Sequence, residues 1–440
     1  MIRILFIGLI LVFGTCFAQE VPSSTITLKL DEAMQIGLNQ NKKILSKKVT
    51  KEISESKQKV LFNEQLPEIE AHYRYNRMAR LRQYQNGGFA GGPTKYFLAR
   101  SQYELDGTAV LPLYKGGKLQ REKKIARAET EIAEIGVEKA EQDVKLRVVS
   151  SFLNMYSLQE HLKVVLDHIN EDNVMVNHIK NLEKNGVVTY NEILRAELQL
   201  KQDSLEYVAI TNDIKIANEE IKFILSAPEE NNYAIDTTGL VSETRGNLDL
   251  KDLMKQSHHA NQNLKMGEKE IKVKQLEIKA QKSDYLPTIN LVAHAKLSYP
   301  NYMFFPPENF AYTFGFLGLD IKWNLTGIYT NREKVKIQEL KLEYQELEHE
   351  ELEEEVNFEV KRAYTKYVEA QEKIDTYDKA VAQAKENYRI VKNKYTNQLS
   401  LITELIDADN TLLETESKFI TAKIEKQFKY YQLQYIIGTL

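Results

Sequence analysis

Residues that could carry out chemistry are present in the chain, but their spacing does not fit a catalytic or metal site. His161 and His168 lie seven positions apart, which separates them by two helical turns and leaves them too distant to bind one ion directly. His258 and His259 are neighbours, and adjacent side chains diverge on a helix. The single cysteine is Cys16, and we find no phosphate-binding loop, nucleophile elbow or HExxH motif. We therefore predict a protein that is not an enzyme and that binds no cofactor and no metal.

Carboxylates occur in two patterns. The segment from Glu346 to Glu355 contains seven glutamates in ten residues, which favours a solvated helix face. Glu404 and Asp407 are three positions apart, so a helix would present both carboxylates on the same side. The formal net charge of the chain is -4, and this mildly acidic balance argues against nucleic acid as a partner.

The first residues predict export. Arg3 supplies a positive charge, the segment from Ile4 to Phe13 is an apolar core, and Cys16-Phe17-Ala18 is a small-x-small cleavage site. We predict a signal peptide over residues 1–18, whose removal also removes the only cysteine. Lipid attachment at Cys16 is the alternative, but the residues before this cysteine match a lipobox poorly.

The remaining sequence consists of two copies of one unit. The pair Leu66-Pro67 returns as Leu286-Pro287, 220 positions later, and Glu192 returns as Glu404, 212 positions later. Between the copies lies a polar stretch with Pro228 and two glycines, which is typical of a linker. The predicted domains are a first repeat over 19–225, an inter-repeat linker over 226–247 and a second repeat over 248–440.

Each copy is predicted to contain a helix, a β-hairpin, a long helix and a further helix. The first helix ends at the Leu-Pro pair, because a residue before proline is pushed out of the α region. Apolar and polar residues then alternate, as in Ile69, Ala71, Tyr73 and Tyr75, which is the pattern of a strand. The predicted first and long helices span about 31–65, 118–183, 248–285 and 331–395, and the predicted strands about 69–76, 96–111, 289–299 and 312–323.

The long helices carry the pattern of a coiled coil. The tract from Tyr329 to Ile437 contains neither glycine nor proline. Within it, apolar or small residues recur every seven positions in two registers, one through Val360 and Tyr367 and the other through Ala363 and Ala370. In the first copy one register comprises Leu158, Val165 and Ile179. Breaks are predicted at 184–189 and 396–401, and each is followed by an amphipathic helix.

Two hairpins per chain restrict how the protein can meet a membrane. No segment after the signal has about 18 consecutive apolar residues, so any spanning part must consist of strands. An open sheet in lipid would leave backbone groups unsatisfied, and the smallest closed membrane barrels have about eight strands. Four strands per chain would therefore require at least two chains. The alternative is a small soluble sheet packed on helices, which alternation does not exclude.

The order of these elements carries a resemblance. Helix, Leu-Pro, hairpin, Leu113-Tyr114-Lys115-Gly116-Gly117, long helix, turn and helix, repeated behind a signal sequence, resembles the TolC-type outer-membrane efflux protein family. The segment from Asn397 to Ala408 is similar to the second periplasmic tip and gate helix of that family, and Ile437-Gly438-Thr439-Leu440 is similar to the end of its repeat. The resemblance implies a mostly α fold with β-hairpins. Long antiparallel coiled-coil helices would form a periplasmic α-barrel, and four strands per chain would enter a trimeric, twelve-stranded transmembrane β-barrel.

The resemblance also implies a function. The protein would be a homotrimeric outer-membrane channel, the exit duct of a tripartite efflux or type I secretion system in a Gram-negative bacterium. It would be a passive conduit in outer-membrane lipid, extending into the periplasm and opened at its periplasmic tip by an adaptor and an inner-membrane pump. The alternative is a secreted coiled-coil structural or adhesion protein with no channel.

Three groups of site residues follow from the resemblance. The periplasmic gate acids would be Glu404 and Asp407, three copies of which would ring the pore, although Glu404 is longer than the aspartate that is usual in the family. The expected adaptor-contacting residues in the tips are Gly186, Val187, Val188, Gln398, Leu399 and Ser400. The expected membrane-interface aromatics are Tyr73, Tyr75, Tyr103, Tyr299, Tyr302, Tyr312 and Trp323, since such rings favour the headgroup level.

Overall fold

The structure is a computed structural model that describes residues 25–79, 82–84, 92–95, 99–236, 248–301, 303–304 and 307–440. The predicted signal peptide, the second half of the predicted linker and Tyr302 lie outside these residues. The helices and strands, in chain order, are β1 (Thr25–Leu28), α1 (Leu30–Gln40), α2 (Lys42–Asn63), β2 (Glu68–Arg77), β3 (Arg82–Gln83), β4 (Thr94–Lys95), β5 (Ser101–Lys115), α3 (Lys118–Lys184), α4 (Tyr190–Leu225), β6 (Asn232–Ile235), α5 (Leu250–Ala260), α6 (Gln262–Lys282), β7 (Thr288–Tyr299), β8 (Tyr312–Lys322), α7 (Gly327–Thr396) and α8 (Ile402–Ile437).

The chain divides into two compact units, each built from separated segments. We call the first the helical unit and the second the sheet unit. The helical unit comprises Met1–Asn41, Arg147–Arg245 and Ala370–Phe428, and the sheet unit comprises Lys42–Leu146, Gly246–Glu369 and Lys429–Leu440. Both units contain segments from both predicted repeats, whose boundaries stay predictions.

The mostly helical fold with long coiled-coil helices is confirmed. Helices α3 and α7 run without interruption to the predicted breaks, and α4 and α8 follow them. Both heptad registers of α7 face inward, since Val360, Ala363, Tyr367 and Ala370 are all buried. The absence of proline permitted these long helices, and the apolar seam packs them.

The first helix of each copy is interrupted, so the predictions of single helices over 31–65 and 248–285 were wrong. The breaks lie at Asn41 and Asn261, which both have extended backbone conformations. The Asn261 side chain accepts hydrogen bonds from the backbone of Asn263 and Leu264 and thereby caps α6. In the helical unit the Asn41 side chain donates to the carbonyl of Ile224 at 2.8 Å. Asparagine is a preferred N-cap residue, and this preference outweighed the helical periodicity.

The sheet unit contains the two predicted hairpins, joined into one antiparallel sheet of order β2-β5-β7-β8. Within this sheet β2 and β8 are the outer strands. The predicted returning strand over 96–111 is shifted, because β5 covers Ser101–Lys115 and residues 96–98 lie outside the described part. The strand continues past Pro112 through a bulge between Pro112 and Tyr114, a position where proline is tolerated.

The two faces of this sheet differ in chemistry, because side chains alternate along each strand. The paired residues Leu105 and Leu297 lie on one face, which we call the apolar face. Exposed members of this face include Ile69, Tyr73, Leu105, Leu317, Leu319 and Ile321. The opposite face, which we call the charged face, carries Arg74, Glu104, Asp106, His294 and Lys296.

A glycine in the family-like segment from Leu113 to Gly117 permits a close backbone approach. Gly116 has φ +64, and a Cβ atom there would lie 2.6 Å from the carbonyl oxygen of Ser283. The Arg121 side chain donates to the carbonyl of Gly116 at 2.8 Å. A side chain at position 116 would therefore separate the start of α3 from the end of α6.

The helical unit also contains a pairing that the sequence patterns did not predict. Strand β1 pairs in parallel with β6, which lies within the predicted linker. The side-chain oxygen of Asn218 on α4 accepts a hydrogen bond from the backbone N–H of Tyr233 at 3.2 Å. This bond attaches β6 to the helix.

Candidate functional site

The two predicted tips are tight turns of the same geometry. After α3, the N–H of Gly186 donates to Glu183 at 2.8 Å and that of Val187 to Leu182 at 2.9 Å. After α7, the N–H of Gln398 donates to Tyr395 at 2.9 Å, and Leu399 donates to Lys394 at 2.8 Å. Both turns are Schellman motifs, which require a residue in the left-handed region. Gly186 has φ 72 and Gln398 has φ 62, so glutamine takes the place of the usual glycine in the second turn.

Substitutions at the two turn residues are expected to change the free energy of unfolding in opposite directions. A Cβ at Gly186 would meet no atom within 4 Å, so Gly186→Ala tests backbone strain alone and is expected to cost about 1 kcal/mol of unfolding free energy. Gln398→Gly removes such strain but adds freedom to the unfolded chain, so we expect a gain below about 1 kcal/mol. Urea unfolding followed by circular dichroism measures both values. A loss of stability in Gln398→Gly equal to that in Gly186→Ala would contradict this account.

The predicted gate acids lie on the exposed face of α8, immediately after the second turn. Glu404 and Asp407 are exposed, whereas Leu405 and Ala408, which directly follow them, are buried. The Ser400 hydroxyl donates to the carboxylate of Glu404 at 2.8 Å. The i, i+3 spacing therefore does place both carboxylates on one helix face.

An apolar cluster anchors both turns from the inside. It is formed in the helical unit by Val176, Ile179, Ile193, Ala196, Tyr395, Ile402 and Leu405. The Tyr395 hydroxyl donates to the Glu192 carboxylate at 2.9 Å. Burial, together with this carboxylate, raises the pKa of Tyr395, so the phenol stays a donor. In the turns, Val188 packs against this cluster, whereas Val187 and Leu399 remain exposed, and Leu399 has 76% of its surface accessible.

Farther from the turns than this apolar cluster, polar contacts attach α7 to α3. The Tyr388 hydroxyl and the Lys392 ammonium both donate to Glu171 Oε2, at 3.0 and 2.9 Å. Although burial opposes it, these two bonds lower the pKa of Glu171. The carboxylate is therefore charged at neutral pH and binds α7 to α3.

A buried histidine lies between α3 and α8; the sequence drew attention to His168 only as a possible metal ligand, not as a packing cation. His168 Nδ1 is 3.3 Å from Asp409 Oδ1, and its Nε2 is 3.4 Å from Glu416 Oε2. Burial opposes the charged imidazolium, but the two carboxylates raise the pKa of His168 to about 10. Lys385 of α7 also pairs with Glu416, at 2.8 Å. His168 is therefore a buried cation that joins α3 to α8.

Three carboxylates converge beside this histidine, and we call Asp172, Asp203 and Asp409 the acidic cluster. Their nearest oxygens all lie within 4.8 Å of one another. Burial, the adjacent carboxyl group of Asp203 and the charge of Asp409 raise the pKa of Asp172 to about 8. Among the described residues this is the one place where three such side chains converge, and the His168 imidazolium beside it disfavours a further cation.

One sequence signal for the acidic cluster existed. The first-copy register through Leu158, Val165 and Ile179 skips position 172, where the seam holds Asp172. A charged residue at a seam position of a coiled coil requires a partner from a neighbouring helix. The partner here is Asp203 of α4, which no pattern in the sequence connects to Asp172.

The predicted interface aromatics that the structure describes lie at both ends of the four-stranded sheet. Tyr75, Tyr103 and Tyr299 are cross-strand neighbours at the end of the sheet where β2 and β7 finish and β5 begins. The rings of Tyr103 and Tyr299 stack with centroids 5.0 Å apart. Tyr73 and Tyr312 lie near the same end, and Trp323 follows β8 at the opposite end.

The charged face is held together by pairs across its strands. His294 Nε2 lies 2.5 Å from Asp106 Oδ1, and Lys296 contacts Glu104. Arg74 of β2 also approaches Glu104, at 3.7 Å. This face requires water or polar partners, whereas the opposite face is suited to an apolar environment. No helix within the described residues is long and apolar enough to cross a membrane.

Comparison with known proteins identifies what the chain is similar to. A family model described as outer membrane efflux protein matches residues 36–227 and 253–439. A comparison with curated protein sequences finds no match.

Solved structures share the fold. A structure of CusC has a TM-score of 0.77 at 12% identity, with 96% of this chain and 95% of that chain covered. VceC from Vibrio cholerae has a TM-score of 0.75 at 13% identity, with 93% and 96% covered. The open state of the MtrE outer membrane channel from Neisseria gonorrhoeae has a TM-score of 0.72 at 15% identity, with 93% and 88% covered. At these identities the likeness shows the fold alone.

Proposed function

This chain belongs to the outer membrane efflux protein family, and on that premise we propose that it is a passive outer-membrane channel, the exit duct of a tripartite efflux or type I secretion system. The observation that carries the proposal is the four-stranded sheet with one apolar and one charged face. In a membrane the apolar face contacts lipid and the charged face lines water. A secreted structural protein without a channel would leave the apolar face in water.

The channel is a homotrimer in this proposal. The outer strands β2 and β8 each have one side without a partner in the sheet. In lipid each unsatisfied backbone group costs several kcal/mol, so β2 of one chain pairs with β8 of the next. Three sheets close into a twelve-stranded barrel in the outer membrane of a Gram-negative bacterium, and the coiled-coil helices continue it as an α-barrel in the periplasm.

Glu404 and Asp407 form the gate of this channel. Both carboxylates are exposed on α8 within a single chain, so a threefold axis could bring three copies of each into a narrow mouth. Rings of carboxylates select cations.

The double substitution Glu404→Ala with Asp407→Ala is expected to raise single-channel conductance and to lower cation selectivity in planar bilayers, because it removes side-chain volume and charge from the mouth. Glu414→Ala is the matched control, since Glu414 is also exposed on α8 but pairs with Lys418. Unchanged conductance together with unchanged selectivity in the double variant would refute the gate assignment.

The two turns are the contact sites for a periplasmic adaptor, which couples the channel to an inner-membrane pump. Val187 and Leu399 are exposed and offer apolar surface at the tips. Gly186, Val188, Gln398 and Ser400 complete the two contact sites.

Photoreactive side chains at Val187 and Leu399 are expected to capture an adaptor protein in cells. The same probe at the exposed Val174 on α3 is the control, because it lies outside the turns. Recovery of outer-membrane proteins alone from both turn positions would count against the assignment.

A further inference from the structure

The acidic cluster holds more negative charge than a buried site accommodates. Asp203 is 3% exposed and Asp409 is 6% exposed, and Asp172 is half-buried beside them. With their nearest oxygens within 4.8 Å, three ionised carboxylates would repel one another strongly, since burial and like charge both favour the neutral acid. At least one of the three must therefore be neutralised.

The hydrogen bonds of the cluster indicate where the neutralising group lies. Gln199 Nε2 donates to Asp203 Oδ1 at 3.1 Å, but Asp203 Oδ2 and Asp172 Oδ2 are buried and receive no donor. Ionised carboxylates can only accept hydrogen bonds, so a proton on one of the two would supply the donor that these buried oxygens lack.

Each positively charged side chain near the acidic cluster already pairs with a carboxylate other than Asp172 or Asp203. His168 on α3 pairs with Asp409 and Glu416 of α8. From α7, Lys385 pairs with Glu416 and Lys392 pairs with Glu171, while Tyr388 donates to Glu171. On α4, the Gln199 side-chain amide donates hydrogen bonds to Asp203 and to Asn410. None of these cations pairs with Asp172 or Asp203.

A small cavity adjoins the pair. Its volume is about 20 Å³, and its polar lining comes from Asp172, Gln199, Tyr388 and Asp409. This is close to the room that a single water molecule needs. A water molecule in this cavity would lie beside Asp172 and could accept its proton.

We propose that Asp172 and Asp203 share one proton at neutral pH and that this proton keeps α8 packed against α3 and α4. Loss of the proton places a second negative charge within 4.8 Å of Asp409. Because Asp409 lies on α8, the resulting repulsion acts between α8 and the α3–α4 pair. The packing of α8 against α3 and α4 therefore depends on pH through this pair.

The sign of the effect follows from the titration of Asp172. Its pKa is raised from 3.8 to about 8 in the packed state and would return toward the ordinary value when α8 moves away. Opening then releases one proton, so the opening constant rises up to about tenfold per pH unit from this group and levels above about pH 8. Acidic pH therefore stabilises the packed state.

Helix α8 also carries Glu404 and Asp407. If these residues form the gate, alkaline pH favours an open channel, and that consequence rests on the proposed function. The shared proton is a property of helix packing and is independent of channel formation.

Infrared spectroscopy of the purified full-length protein tests the proposal directly. The wild-type protein is expected to show the carbonyl stretch of a protonated carboxylic acid at pH 7, lost on titration with a midpoint near pH 8. Asp172→Asn and Asp203→Asn are each expected to abolish this band. Asp167→Asn, which changes an exposed aspartate of α3, is expected to leave it intact.

Hydrogen exchange measures the consequence for α8. After correction for intrinsic exchange, the opening constant of amides from Leu405 to Leu412 is expected to rise with pH in the wild type and in Asp167→Asn. In Asp172→Asn the slope is expected to be smaller by about one proton, or tenfold per pH unit.

Three results would overturn the proposal. The first is the absence of a protonated carboxyl band at pH 7, and the second is its persistence in both cluster variants. The third is a change in the band or in α8 exchange when calcium or a chelator is added, because a metal ion would then replace the proton. Conductance in planar bilayers is measured separately, so a protein that keeps the band but forms no channel would contradict only the proposed function.

Discussion

Replacing His168 with glutamine is expected to destabilise the helical unit by about 3–5 kcal/mol at pH 6, because the substitution removes one partner of a buried ion network. His168 is 7% exposed and contacts both Asp409 and Glu416. Without the imidazolium, Asp409 is left buried beside Asp172 and Asp203 with no cation. Glutamine retains hydrogen-bonding capacity and similar volume, so the loss reports mainly on charge.

The size of this effect depends on pH in a defined direction. The pKa of His168 is raised to about 10 in the folded protein, against an ordinary value of 6.5. Its stabilising contribution is therefore fully present below about pH 6.5 and is lost as the pH rises toward 10. The difference between wild type and His168→Gln should accordingly be largest in acid and should shrink in alkali.

Urea unfolding at several pH values measures this difference. His258→Gln is the control, because His258 is an exposed histidine on α5 and its replacement should change the unfolding free energy by less than about 0.5 kcal/mol. A His168→Gln protein as stable as the wild type at pH 6, or a difference that grows with pH, would show that the buried cation has been misassigned.

Replacing Leu317 with arginine is expected to prevent assembly in the outer membrane. Leu317 lies on the apolar face of β8 and is 71% exposed within the chain. An arginine that faces lipid near the middle of the bilayer costs about 2–4 kcal/mol per site, and a trimer would contain three such sites. The expected result is a loss of outer-membrane trimer with little change in the helices.

The neighbouring position supplies the matched control. Phe316 is 50% exposed and lies on the charged face, where its ring stacks on His294 with centroids 5.3 Å apart. Phe316→Arg therefore places the same charge on the water side and should permit assembly. Outer-membrane fractionation of both variants measures the outcome. Equal assembly of the two variants would show that the faces have been assigned to the wrong environments.

The long helices and the hairpins could be predicted because local sequence determines them. A tract without glycine or proline that carries a seven-residue apolar repeat has few alternatives to a helix, and α7 ends within one residue of the predicted Tyr395. Alternation from Ile69 onward likewise determined which face of β2 is apolar. These patterns need no knowledge of the partner element.

Features that depend on a partner could not be predicted in the same way. The breaks at Asn41 and Asn261 combine a local capping preference with contacts to distant carbonyls of Ile224 and Ile436. The strand β5 passes Pro112 only because β7 pairs with it on both sides of the bulge.

The acidic cluster depends on partners most strongly of all. It requires Asp172, Asp203 and Asp409 to meet from three helices, and the sequence shows only that Asp172 interrupts an apolar register. In contrast, the placement of Glu404 and Asp407 on the same side of α8 followed from their spacing alone.

In the proposed assembly, three copies of this chain close their sheets into one outer-membrane channel. The most direct test of this assembly is to express the full-length protein in a Gram-negative host, separate the membranes, and compare unheated with boiled samples by gel electrophoresis. We expect an outer-membrane band with the mobility of a trimer that converts to monomer on boiling. A soluble protein that runs as a monomer without heating would contradict it.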